Sequence, residues 1–243
     1  MAEKKFFNDI EITVADDYPE MCRIASEIIL KSIEGSKETN LLVPTGTTPK
    51  GIYKILSGKD VFENVRFFNF DEYCTEGGLL PEDDPRSYKY YMKKHIFDNI
   101  DCLESYFPSE KNISEEGAYD RLIAEKGGID ICLVACGEDG HIFGFNFPGS
   151  SFDSVTRKVK MDEDTLRVNK KLTGMDVPEY AVTTGISTGM KSRKIVFIVS
   201  GKRKAEILKK IVYSDISEEI PASVLRKHKN CVWIVDKGAA SEL

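Results

Sequence analysis

The stretch Ile129-Asp130-Ile131-Cys132-Leu133-Val134-Ala135-Cys136-Gly137-Glu138-Asp139-Gly140-His141 ends an apolar run in a glycine-bracketed turn, with an acid two residues before an imidazole. Among polar side chains histidine titrates nearest neutrality. A carboxylate beside it holds its tautomer and stabilises its protonated form, which suits general acid–base chemistry. The end of a buried strand in an α/β sheet is also where ligands usually sit. Asp139 and His141 are therefore candidate proton-transfer groups. The plain alternative is a loop whose histidine is merely exposed.

Three other stretches carry chemistry. Asp71 and Glu72 follow directly on the apolar strand expected at 65–70. A carboxylate held there in a partly dry cleft would act as a base, since desolvation raises its pKa toward neutrality; a solvated acidic turn is the other reading. Pro44-Thr45-Gly46-Thr47-Thr48-Pro49-Lys50-Gly51 lies between a short apolar strand and a helix. Free backbone N–H groups at a helix start, three hydroxyls, and a glycine that permits close approach would suit a phosphate. Taken alone it reads first as a capped strand-to-helix turn. It lacks both the Gly-Lys-Ser/Thr ending of a P-loop and the GxGxxG pattern. Finally, Lys202, Arg203 and Lys204 open a helix after the strand 194–200. Cations there oppose the helix dipole, so an anionic ligand explains them better than local stability, although a solvated basic patch has the same composition. Arg167, Lys170 and Lys171 form a further cationic group.

The elements that must position these residues follow from periodicity. An opening strand is expected at 9–14. A helix capped by Asp17 follows, with Met21, Ile24, Ala25, Ile28, Ile29 and Ile33 at helical spacing and Gly35 as its stop. The apolar strand at 40–43 precedes the threonine turn. A loop at 74–85 with two glycines, two prolines and four acids reads as a mobile cover. Helices are expected at 86–97 and 114–125, and a strand with outward basic residues at 155–160. After the strand 194–200 come helices at 205–212 and 221–228, a last strand at 231–235 and a helical tail. Strand alternating with helix implies a parallel sheet covered on both faces, in a single domain spanning 1–243.

Composition narrows the function. The chain has 243 residues, 41% hydrophobic and 30% charged, as a globular α/β protein does. A net charge of -6 argues against general nucleic-acid binding. No apolar run is long enough to span a bilayer, and no signal peptide is evident at the start. The six cysteines show neither a CxxC pair nor zinc spacing, and with three scattered histidines they predict free thiols, no metal site and a reducing cytoplasm. His95 and His228 are expected at the surface without a catalytic role.

Together, Pro44-Thr45-Gly46-Thr47-Thr48-Pro49, Phe68-Asn69-Phe70-Asp71-Glu72-Tyr73, Gly137-Glu138-Asp139-Gly140-His141-Ile142 and Ser200-Gly201-Lys202-Arg203-Lys204-Ala205 resemble the glucosamine-6-phosphate deaminase/isomerase family, which is related to the 6-phosphogluconolactonases. The resemblance covers nearly the whole chain. It implies a doubly wound, Rossmann-like α/β fold of the sugar-phosphate isomerase type and a reaction without metal or organic cofactor. It also implies a small-molecule sugar-phosphate partner and a monomer or small homo-oligomer. By the same resemblance Thr45, Gly46, Thr47, Thr48, Glu72, Lys171 and Lys204 bind substrate. Asp71 moves a proton between C1 and C2 of the opened sugar, and His141 with Asp139 opens the ring. One departure stands out: the family continues its histidine motif with Asn-Glu-Pro, whereas this chain has Asn146-Phe147-Pro148, one residue later.

Two other functions share these residues. A lactonase-like hydrolase would use His141 to activate water, and the Phe147-Pro148-Gly149 wording favours it while Tyr73 opposes it. A noncatalytic sugar-phosphate sensor would keep the binding turn, with Phe147 breaking the proton relay.

Overall fold

The computed structural model describes residues 2–243, with the side chain of Leu172 left out. In it the most continuous apolar runs become the centre of a parallel sheet, because a strand covered on both faces has no polar side. Among the described residues this sheet has eight strands. They are β1 (Glu3–Phe7), β2 (Ile10–Ala15), β3 (Thr39–Val43), β4 (Val65–Asn69), β7 (Glu104–Tyr106), β8 (Ile131–Ala135), β11 (Lys194–Val199) and β12 (Cys231–Asp236). Their order is β1-β2-β12-β11-β8-β3-β4-β7, and every pairing is parallel except β1 with β2. Alternation sorts β11 cleanly: Ile195, Phe197 and Val199 enter one core, Val196 and Ile198 the other.

Helices cover both faces. On one side α1 (Tyr18–Ile33), α2 (Lys50–Leu56) and α3 (Tyr88–His95) contribute Met21, Ile52 and Met92. On the other, α5 (Ala118–Glu125), α7 (Ile186–Met190) and α8 (Ala205–Tyr213) contribute Tyr119, Ile186 and Leu208. The chain winds outward from β3 to β4 and β7, and from β8 to β11 and β12. The winding therefore reverses between β3 and β8, and the crevice beyond their carboxyl ends is the favoured ligand position of such a sheet.

A second sheet, absent from the expectations above, is antiparallel in the order β6-β5-β10-β9, with β5 (Asp71–Thr75), β6 (Gly78–Leu79), β9 (Arg157–Lys160) and β10 (Tyr180–Thr183). It packs its own core of Tyr73, Leu80, Phe145, Met161 and Ala181. Leu166 of α6 (Glu163–Thr173) and Tyr88 of α3 close over it.

The second sheet corrects two local expectations and places a third. The strand expected to run through 70 leaves the main sheet after Asn69, so Asp71 and Glu72 lie inside β5 rather than in a turn. The loop expected at 74–85 begins as a hairpin with Leu80 N–H donating to Tyr73 O at 3.0 Å. The strand expected at 155–160 belongs to this sheet. Elsewhere, β1 precedes the expected opening strand and turns at Asn8 and Asp9, both with positive φ (46° and 64°), as a two-residue hairpin loop requires. The helix expected at 114–125 is broken at Gly117, where φ is 71°, leaving α4 (Lys111–Ser114) and α5. No helix of the described residues is long and apolar enough to cross a membrane.

Candidate active site

The 44–49 turn follows β3, and its carbonyls are taken by phenols. Tyr53 donates to Pro44 O, Tyr91 to Gly46 O at 2.5 Å, and Tyr18 to Thr48 O at 3.0 Å. The Lys50 N–H reaches Thr47 O at 3.4 Å. Among the described residues no acceptor lies within hydrogen-bond reach of the Gly46, Thr47 or Thr48 N–H. With its acceptors occupied and its donors free, the turn is suited to an anion. The three tyrosines were not foreseen, though a phenol embedded in a core needs a polar partner, and Tyr53 is fully buried.

Lys204 follows the third convergent strand, β11. Gly201 ahead of it is held by Asp236, which accepts the Gly201 N–H at 3.0 Å. The Lys204 ammonium donates to Cys136 O at 2.6 Å and Thr48 Oγ1 at 3.3 Å, so it spans the crevice between β8 and β3. Lys171 behaves differently. It is exposed on α6 and makes no hydrogen bond or ion pair with the 45–48 turn or Lys204 among the described residues. The expected cationic group is instead dispersed: Arg167 pairs with Asp164 at 2.8 Å and Lys170 with Asp176 at 2.7 Å.

The turn after β8 brings His141 Nδ1 to 2.7 Å from Asp139 Oδ1. The His141 backbone N–H donates to the same oxygen at 3.1 Å. Burial pushes the Asp139 carboxyl up, but the imidazole and nearby N–H groups outweigh it and leave Asp139 below the usual carboxylate range. Gly137 is required here: a Cβ on it would stand 2.3 Å from the imidazole and 2.5 Å from Asp139.

Asp71 and Glu72 point to opposite sides of β5, as neighbours on a strand do. Asp71 is 4% exposed, and among the described residues its carboxylate accepts no hydrogen bond. Burial first, and the Glu72 charge second, raise its pKa well above the ordinary value. Its cross-strand partner is Thr183, and the backbone of Gly144 lies against both. A Cβ at Gly144 would be 2.2 Å from Thr183 Oγ1 and 2.8 Å from Asp71 Oδ2, and φ there is 88°. Phe143 (φ 53°) and Gly144 make a left-handed turn between Ile142 and Asn146. Asn146 locks the turn by donating to the carbonyls of Ile142, Phe143 and Thr184 at 2.9–3.1 Å.

Glu72, expected among the substrate-binding residues, is engaged by its own fold. Its Oε1 accepts from the Tyr73 and Tyr88 N–H groups at 2.8 and 2.9 Å. Its Oε2 accepts from Ser87 Oγ and the Lys89 N–H at 2.8 and 2.9 Å. A carboxylate has about four acceptor positions, so none remains for a ligand. Burial raises its pKa and these donors oppose the rise.

Aromatic rings line the space between the histidine and the threonine turn. His141 meets Phe147 edge-on at 5.5 Å, Phe147 tilts against Phe145 at 5.9 Å, and Phe145 stacks on Tyr88 at 6.1 Å. The Tyr88 hydroxyl sits beside that of Thr45. Phe147 thus packs between His141 and Phe145. No group of three or more His, Cys, Asp or Glu side chains is placed to hold a metal ion among the described residues.

Fold and site together define a class: doubly wound α/β proteins whose strand ends carry an anion-suited turn beside an acid–imidazole pair and a desolvated acid. Within that class the chain belongs to the family of glucosamine-6-phosphate isomerases/6-phosphogluconolactonase, whose model matches residues 16–233. It is 38% identical to glucosamine-6-phosphate deaminase 2 of Bacillus subtilis (strain 168), over 96% of this chain and 98% of the relative. It is 39% identical to the glucosamine-6-phosphate deaminase of Shouchella clausii (strain KSM-K16), over 93% and 94%. A solved monomeric glucosamine-6-phosphate deaminase superposes with a TM-score of 0.88 at 34% identity, covering 96% of this chain and 100% of that one. The 6-phosphogluconolactonase of Thermotoga maritima shares the fold, with a TM-score of 0.73 at 20% identity over 93% and 99% of the two chains.

Proposed function

We propose that the protein is a glucosamine-6-phosphate deaminase: it isomerises a hexosamine 6-phosphate and releases a ketose 6-phosphate and ammonia. The observation that carries the reading is Lys204 bridging Cys136 O after β8 and Thr48 in the turn after β3, with the His141–Asp139 pair in the same turn that follows β8. The full-length likeness to curated deaminases supports it.

In this reading the N–H groups and hydroxyls at 45–48 and Lys204 hold the phosphate, with Lys171 reaching the ligand only if α6 moves. His141, supported by Asp139, transfers the ring-oxygen proton that opens the pyranose. Asp71 takes the proton from C2, giving an enolamine, and returns one to C1. The C2 imine that results is hydrolysed by water, and ammonia leaves. An unpartnered, desolvated carboxylate is a strong base once ionised, which suits proton abstraction from carbon. We read the protein as cytoplasmic, and as a monomer or small homo-oligomer.

Incubation of the purified protein with glucosamine 6-phosphate and galactosamine 6-phosphate tests the proposal through ammonia and ketose phosphate. Product from at least one is expected. No product from either, with hydrolysis of 6-phosphogluconolactone above its spontaneous rate, would replace the deaminase with a hydrolase. Size-exclusion chromatography with light scattering gives the assembly state.

A further inference from the structure

Helix α3 joins two parts of the site that are far apart in sequence. Its amino-terminal N–H groups lack partners within the helix, as in any helix. Ser87 caps two of them locally, accepting from the Lys89 and Tyr90 N–H at 3.1 and 3.4 Å. The rest of the cap comes from another element. Glu72 of β5 takes the Tyr88 and Lys89 N–H groups and the Ser87 hydroxyl proton, each at 2.8–2.9 Å. The first turn of α3 has no acid of its own, so the carboxylate that complements its dipole is supplied by β5. At 3% exposure this is a costly place for a charge, and no lysine or arginine pairs with it among the described residues. A stabilising cap alone would be met more cheaply by an acid on the helix itself.

The other end of the arrangement explains the cost. Tyr88 and Tyr91 are three residues apart and share a helix face. The Tyr88 hydroxyl donates to that of Tyr73 on β5 at 3.0 Å, beside Thr45, and the Tyr91 hydroxyl donates to Gly46 O at 2.5 Å. One face of α3 therefore touches β5 immediately after Asp71 and the anion-suited turn. We propose that Glu72 is a positioning residue: by anchoring α3 to β5 it holds the Asp71 carboxylate and the 45–48 turn at a fixed separation, so that a ligand bound by its phosphate presents its reacting carbon to the base. This rests on the reaction proposed above. It gives Glu72 and Tyr91 roles in geometry, without contact to substrate.

The test is a double-mutant cycle of Glu72→Gln and Tyr91→Phe, read by the affinity for inorganic phosphate and by kcat and KM, with thermal melts to confirm folding. In Glu72→Gln an amide nitrogen faces donors that need an acceptor, so α3 loses its anchor. Its kcat/KM falls on the order of a hundredfold, with kcat lowered and KM raised, as expected for misplacement rather than lost chemistry. Tyr91→Phe weakens phosphate roughly three- to tenfold and raises KM while kcat is nearly kept. In the Glu72→Gln background the same change costs less than about twofold, because the strut is already released. Wild-type phosphate affinity in Glu72→Gln, or effects that multiply independently, overturns the proposal. If Glu72→Gln does not fold, Ser87→Ala replaces it in the cycle, with the same non-additivity expected and independence again overturning it. A wild-type protein that binds phosphate without turning over an amino sugar would remove the proposed reaction and leave the phosphate-affinity cycle readable.

Discussion

The rim of the parallel sheet and the small antiparallel sheet hold their acids in opposite ways. Asp139 lies in a glycine turn at the end of β8, with its side chain 40% exposed and 2.7 Å from an imidazole that holds its carboxyl low. Asp71 lies inside β5, 4% exposed, with no donor among the described residues and with Glu72 beside it, and its carboxyl is pushed well up. Turns at strand ends supply exposed, adjustable groups. A strand sealed under a second layer supplies an acid starved of water. One fold thereby gives the same functional group two opposite electrostatic environments.

Removing Asp71 tests that contrast with the largest effect. Asp71→Asn is expected to lower kcat by about 10³–10⁴-fold, the upper range for loss of a general base, and to raise the melting temperature at alkaline pH. A carboxyl whose folded pKa is raised leaves stability untouched below its unfolded pKa and lowers it progressively as pH climbs from there through the folded one. The gain in the variant should therefore shrink as pH falls. Melts of both proteins across pH, beside a product assay, check it, and a variant less stable than wild type at high pH would break the contrast.

Asp139→Asn is expected to lower kcat by about a hundredfold through loss of imidazole support, with little change in the affinity for inorganic phosphate. Here the linkage has the opposite sign. A depressed carboxyl contributes stability above its unfolded pKa and loses it as pH falls through the folded one, so this variant should be the less stable at neutral pH and converge on wild type in acid. Lys204→Met comes next. Loss of one charge-assisted contact should raise KM roughly ten- to hundredfold with a smaller change in kcat, and a phosphate titration should show the same loss.

The smallest effect is a displacement along the pH axis. Asp71 must be ionised to accept a proton, so kcat/KM should rise with pH along a limb lying above the ordinary carboxylate range. Glu72→Gln removes the second cause of the raised pKa and leaves burial, the first. Its residual activity should show the limb moved to lower pH yet still above that of an exposed carboxyl. A limb that does not move would mean that Asp71 does not report Glu72.

The runs at 40–43, 131–135 and 194–199 are legible as buried strands because solvent-free faces demand uninterrupted apolar residues, and Asp17 and Gly35 mark the ends of α1 by capping chemistry that is local. The second sheet was not legible. A strand was expected at 155–160, but Arg157-Lys158-Val159-Lys160 and Asp71-Glu72-Tyr73-Cys74-Thr75 are short and charged, and what joins them in one sheet is β10 between them, which pairs with both. The tyrosines that hold the threonine turn come from α1, α2 and α3, and their spacing in sequence carries no trace of a shared target.

The order of residues alone determined which groups are available for chemistry and the parallel, doubly covered sheet that carries them, because side-chain chemistry and hydrophobic period are properties of neighbours along the chain. Only the tertiary structure decided what each acid does. Asp71 and Glu72 are adjacent and chemically near-identical, yet one is left without a donor while the other is saturated by a helix end. Desolvation and hydrogen-bond supply depend on what packs around a group, and all but one of the partners here, the Tyr73 N–H, lie from 15 to more than a hundred residues away along the chain.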